Sequence, residues 1–167
     1  MANALEILKP VFNTSTMPGL GPERRAEAWP IDEVEAKLLG SGLSGEAAEL
    51  ARSAALLWHD YFTESHTISQ DISSADGSFL HGVMHRREPD YPNAKYWFRR
   101  TGLHLSFPEI SKRAAVVLAG SPLENLADGG WDSFAMVDAV AAARVGSSEY
   151  SLLQRVEFEV LLERFCD

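Results

Sequence analysis

The chain has 167 residues, enough for one domain with a sizeable core and cramped for two. Its 15 Lys and Arg stand against 24 Asp and Glu, and the net charge of −9 argues against a uniformly basic nucleic-acid surface. Cys166 is the single cysteine, which excludes a disulfide framework or a Cys-rich zinc ribbon, and no run of about 18 apolar residues is present to span a membrane.

Residues 1–30 read as an irregular N-terminal arm. Pro10, Pro18, Gly19, Gly21, Pro22 and Pro30 interrupt any regular element, while Leu5, Ile7, Leu8, Val11 and Phe12 offer an apolar side to lie against the body. The start has no long apolar core behind a basic head, so export is not indicated and a cytoplasmic location is expected. Residues 31–167 read as a single helical domain. Ile31–Leu39 is a short helix, with Asp32, Glu33 and Glu35 in its first turns and Gly40 as its stop. Ser44 is the candidate N-cap of the next helix, expected over 45–69. There Ala47, Leu50, Ala51, Ala54, Leu57, Trp58, Tyr61, Ser65 and Ile68 recur at spacings of three and four. This longest element is the expected spine of the fold.

Residues 78–88 admit two readings. The preferred one is a helix stopped by Pro89. The alternative is the second strand of a short β-hairpin near residues 67–85, turning at Asp76 and Gly77. Beyond the bend at Pro89–Asn93, helices are expected over 94–100 with Asn93 as cap, 108–119 opened by Pro108, 131–145 ended by Gly146, and 148–165. The fold class is therefore all-α, an irregular bundle of five to seven helices.

Histidine carries most of the chemical information. His59 and His66 are seven apart, two turns along one stripe of the expected long helix. His81 and His85 are four apart and share a face in a helix, and in a strand as well. Should the two pairs meet, His59, His66, His81 and His85 could hold a divalent metal, since imidazole is a good ligand for zinc, iron or nickel. Without metal, His59, His66 and His85 are candidate acid–base catalysts. Polar histidines satisfied within the core are the blander reading, and Gly82–Val83–Met84 provide no Glu of the metalloprotease helix.

Between His81 and His104 five cations face only two acids, a basic island on an acidic chain. Arg86, Lys95 and Arg99 could hold a small anionic ligand, with Asn93 and Tyr96 orienting it; pairing of Arg86 and its neighbours with carboxylates of the chain is the competing reading. Tyr91, Tyr96, Trp97 and Phe98 add aromatic walls. No dinucleotide fingerprint, Walker loop or nucleophile elbow is present.

The stretch from His85 to His104, HRREPDYPNAKYWFRRTGLH, resembles a family of uncharacterised microbial and fungal proteins that share an HRRE-x-D-x-x-NAKYWFRR segment. The resemblance covers about a quarter of the chain, with similar Trp131, Asp132, Phe134, Val137 and Asp138 positions near the tail. It implies that His59, His66, His81, His85 and the 86–100 segment belong together, and it implies no particular reaction. Two functional readings follow. One is binding or processing of an anionic metabolite in a His- and Arg-lined pocket. The other is a non-enzymatic interaction or scaffold protein held by a structural His/Arg network. Oligomeric state is not legible.

Overall fold

The computed structural model describes residues 2–121, 123–143 and 148–167. Among these the chain forms nine α-helices and no strand: α1 (Ala4–Leu8), α2 (Ile31–Gly40), α3 (Gly45–Trp58), α4 (Phe62–Ser69), α5 (Ala75–Arg87), α6 (Tyr91–Thr101), α7 (Phe107–Leu118), α8 (Ser133–Ala143) and α9 (Ser148–Cys166). Short 3₁₀ turns lie at Lys9–Phe12 and Glu124–Ala127. The all-α class holds, and the helix count exceeds the expected five to seven. The arm contributes α1, and the expected long helix divides in two. The expected end of the 131–145 helix, with its stop at Gly146, falls outside the described residues.

The division occurs at Asp60, whose φ of +66° puts it in the left-handed region. The Tyr61 N–H reaches back five residues to the Leu56 carbonyl at 2.9 Å, closing α3 in the manner of a Schellman end. Glycine is the usual residue there. Here it is an aspartate, and its carboxylate receives the guanidinium groups of Arg25 and Arg87. The apolar period runs straight through this corner, so periodicity alone joins α3 to α4.

The alternative hairpin near 67–85 is also replaced by helix. Ser74 caps α5 by accepting the Gly77 N–H at 3.3 Å. A Cβ at Gly77 would collide with the Ile72 carbonyl oxygen and lie 2.6 Å from the Ile72 side chain, so the Asp76–Gly77 pair serves close packing inside a first helical turn. At the next bend Asp90, not Asn93, is the cap: it accepts the Asn93 N–H, and α6 begins at Tyr91.

α5 is the central helix. Every residue from Asp76 to Arg87 is buried, which explains why its sequence has no amphipathic stripe. α3 packs against α5 and also against α9, where buried Trp58 and Phe158 meet edge-to-face at 5.4 Å. α4 and α6 flank the other sides of α5. Phe98 of α6 presses on Gly82, where no Cβ intervenes. This arrangement carries polar side chains of α5 into the interior, where each must find a partner.

Candidate metal centre

His66 of α4 meets His81 and His85 of α5. One ring nitrogen from each falls within 4.8 Å of the others. The His81 and His85 rings stack at 4.8 Å, as their i, i+4 spacing requires, and His66 stands edge-on to both, 4.7 and 5.5 Å away. His81 is 1% exposed and His85 5%, while His66 is half-buried. Trp97 of α6 stacks over His81 at 3.8 Å.

The two nitrogens of His81 are buried and have no hydrogen-bond partner. Burial, reinforced by the neighbouring His85 and His66, pushes its pKa down to about 3, so the ring is neutral and one nitrogen keeps a free lone pair. Burial also lowers the pKa of His85, against the opposing pull of Glu88 and Asp90. The Glu88 carboxylate lies 3.3 Å from His85 Nδ1, and the Asn93 amide lies 3.2 Å from Nε2 and 3.4 Å from Nδ1. A buried imidazole without a partner is costly. Three imidazole nitrogens gathered this closely could hold a divalent transition metal after a small inward adjustment, since metal–nitrogen bonds are about 2.0–2.1 Å.

His59, the fourth candidate, lies elsewhere. The corner at Asp60 turns it away from His66. Its Nδ1 accepts the Trp29 N–H at 3.0 Å and its Nε2 donates to the Val11 carbonyl at 2.9 Å. Burial lowers its pKa to about 4. It is a neutral clamp on the N-terminal arm, with both nitrogens occupied. His104 is likewise engaged: its Nε2 donates to Asp76 at 3.0 Å and its Nδ1 accepts the Ser106 N–H.

The cations of the basic island divide into inside and outside. Arg86 is fully buried and forms a two-pronged ion pair with Glu157, at 3.1 and 2.6 Å, with Gln154 at 3.3 Å. Gln154 in turn donates to the Gly19 carbonyl and ties down the arm. Arg87 is buried against Asp60 at 2.7 Å and the Leu57 carbonyl at 2.5 Å. Burial lowers the Arg87 pKa to about 10, which leaves it charged at neutral pH. Burial alone would raise the Asp60 carboxyl; the Arg25 N–H and the two guanidinium groups hold it below its ordinary range. Lys95 pairs with Asp138 of α8 at 2.5 Å. Arg99 lies 6.0 Å over the Phe134 ring, and the half-exposed Tyr96 hydroxyl accepts from Arg100. Asn93 alone of the anion-site candidates touches the histidine cluster.

Four surface clefts of about 190 to 360 Å³ are lined by other residues: the seam of the arm with α9, the 128–132 loop with the start of α8, the α2–α3 corner, and the end of α9 beside Asp76. No helix among the described residues is long and apolar enough to cross a membrane. Sequence reasoning missed three participants. Glu157 and Gln154 sit on α9, about 70 positions from Arg86, and nothing local marks them. Glu88 was visible three residues after His85, the spacing of one helical turn. Comparison with protein-family models, with curated proteins and with solved structures gave no match.

Proposed function

We propose that this chain is a metal-binding scaffold protein in which His66, His81 and His85 hold one divalent transition-metal ion, zinc foremost, and thereby staple α4 to α5. The observation that carries the reading is His81: a buried, neutral imidazole with two unpartnered nitrogens, in a group of three rings that offer converging ligand atoms. A purely structural histidine network would satisfy these nitrogens as it satisfies those of His59 and His104. The buried Arg86–Glu157 and Arg87–Asp60 pairs supply the rest of the scaffold. Of the residues that the resemblance to the HRRE-x-D-x-x-NAKYWFRR segment groups together, His66, His81 and His85 form the cluster with Asn93 and Trp97 at its border, while His59 stands apart. Zinc or cobalt titration of untagged, chelator-stripped protein should give one ion per chain. His81→Ala should abolish binding, while His59→Ala should leave it in place. Far less than one ion per chain would overturn the reading. At a hundredfold excess of free ion over Kd, binding adds about 2.7 kcal/mol, a Tm rise of about 5–10 °C for a chain of this size.

A further inference from the structure

We propose that Glu88 supplies the fourth ligand and closes this site against outside molecules; the inference rests on the three-histidine reading above. Glu88 is the residue at which α5 ends, one turn beyond His85, and its Oε2 lies 3.3 Å from His85 Nδ1. Ligand atoms about 2.0 Å from a tetrahedral ion stand about 3.3 Å apart along each edge of the tetrahedron. The carboxylate and the ring nitrogen therefore already occupy one such edge. The three histidine nitrogens, within 4.8 Å of one another, have to close by at most about 1.5 Å to occupy three further edges, and the Glu88 carboxylate has to swing toward His66 and His81 to form the last two.

Charge points the same way. Three neutral imidazoles leave both positive charges of a divalent ion uncompensated beside two buried rings, and a carboxylate removes one of them. Among the described residues Glu88 pairs with no lysine or arginine, and its side chain is 38% exposed, able to rotate onto an ion. Asn93 completes the arrangement. With its amide oxygen turned toward His85 Nε2, it accepts that N–H and leaves the Nδ1 lone pair for the ion; the two amide orientations differ only by a flip. Trp97, stacked on His81 at 3.8 Å, covers one face of that ring.

Cobalt(II) is the probe, because its visible absorption reports coordination number and ligand exchange. Wild-type protein loaded with one cobalt should give a four-coordinate spectrum that azide does not alter. Glu88→Ala should still take up cobalt, with affinity about 10–100-fold weaker, and its spectrum should now shift with azide. Glu88→Gln, isosteric and checked for its fold by circular dichroism, should weaken binding in the same direction, and Glu64→Gln on the exposed face of α4 should not. An azide-sensitive wild-type spectrum would show an open fourth position and overturn the assignment while sparing the three-histidine site. So would Glu88→Ala protein with wild-type affinity and no azide response. Failure of wild-type protein to bind cobalt at all would remove both readings.

Discussion

Arg86 and Arg87 are neighbours in the chain, yet they leave α5 toward different partners, Glu157 of α9 and Asp60 of the α3–α4 corner. Both guanidinium groups are fully buried, so each pair is valued by what remains when one member is lost. Glu157 has Arg86 as its cationic partner and is itself fully buried. Arg86→Met should therefore cost about 3–5 kcal/mol in urea unfolding. The double replacement of Arg86 and Glu157 by Met should recover most of that loss, because no charge is then stranded. A loss below about 1 kcal/mol in the single variant, the range of exposed pairs, would contradict this account. The basic island was legible in the sequence as charge, and its direction was not. Nothing in the order Arg86, Arg87, Glu88 tells which side chain turns inward, because the partners lie about 30 and 70 positions away. The histidine pair is the opposite case. Spacing of four put His81 and His85 on one face in any regular structure, and they share it.

At the scale of elements, the centre depends on where helices stop and how closely they approach. The apolar repeat of 45–69 predicts one helix and so places His59 beside His66. The chain instead turns at Asp60, a corner made by arginines from residues 25 and 87 that no local pattern reveals. The turn separates His59 from the cluster and lets α4 fold back so that His66 meets α5. The approach of α6 is set by Gly82. A Cβ there would lie 2.7 Å from the Phe98 ring, which is itself buried. Gly82→Ala should cost about 1–3 kcal/mol by overpacking, despite the better helix propensity of alanine. It should also push α6 outward, carrying Trp97 off His81. Thermal unfolding and the quenching of tryptophan fluorescence by acrylamide measure the two effects. An unchanged Tm with unchanged quenching would mean that the α5–α6 seam has slack.

Over the whole molecule, buried imidazoles make stability a function of pH. His59, His81 and His85 all have folded-state pKa values below the unfolded value of about 6.5, about 4 for His59 and about 3 for His81. Below pH 6.5 the unfolded chain takes up protons that the folded chain refuses. Stability is therefore fully present above that pH and is lost on acidification, by up to about 1.4 kcal/mol per pH unit for each histidine, until the folded values are reached. Urea midpoints of metal-free protein should be level between pH 7 and 8 and fall steeply from pH 6 to 4.5. A flat profile would exclude this linkage. The proton has a specific destination at His59. Once Nδ1 is protonated it can no longer accept the Trp29 N–H, so one of the contacts that tie the arm to the α3–α4 corner is broken, beside the Arg25–Asp60 pair and the Tyr61 hydroxyl bond to the Trp29 carbonyl. Hydrogen exchange of the Trp29 amide should accelerate on acidification before core amides of α5 do, after correction for the intrinsic pH dependence of exchange. Simultaneous exchange of both sets would mean that the arm and the bundle unfold as one cooperative unit.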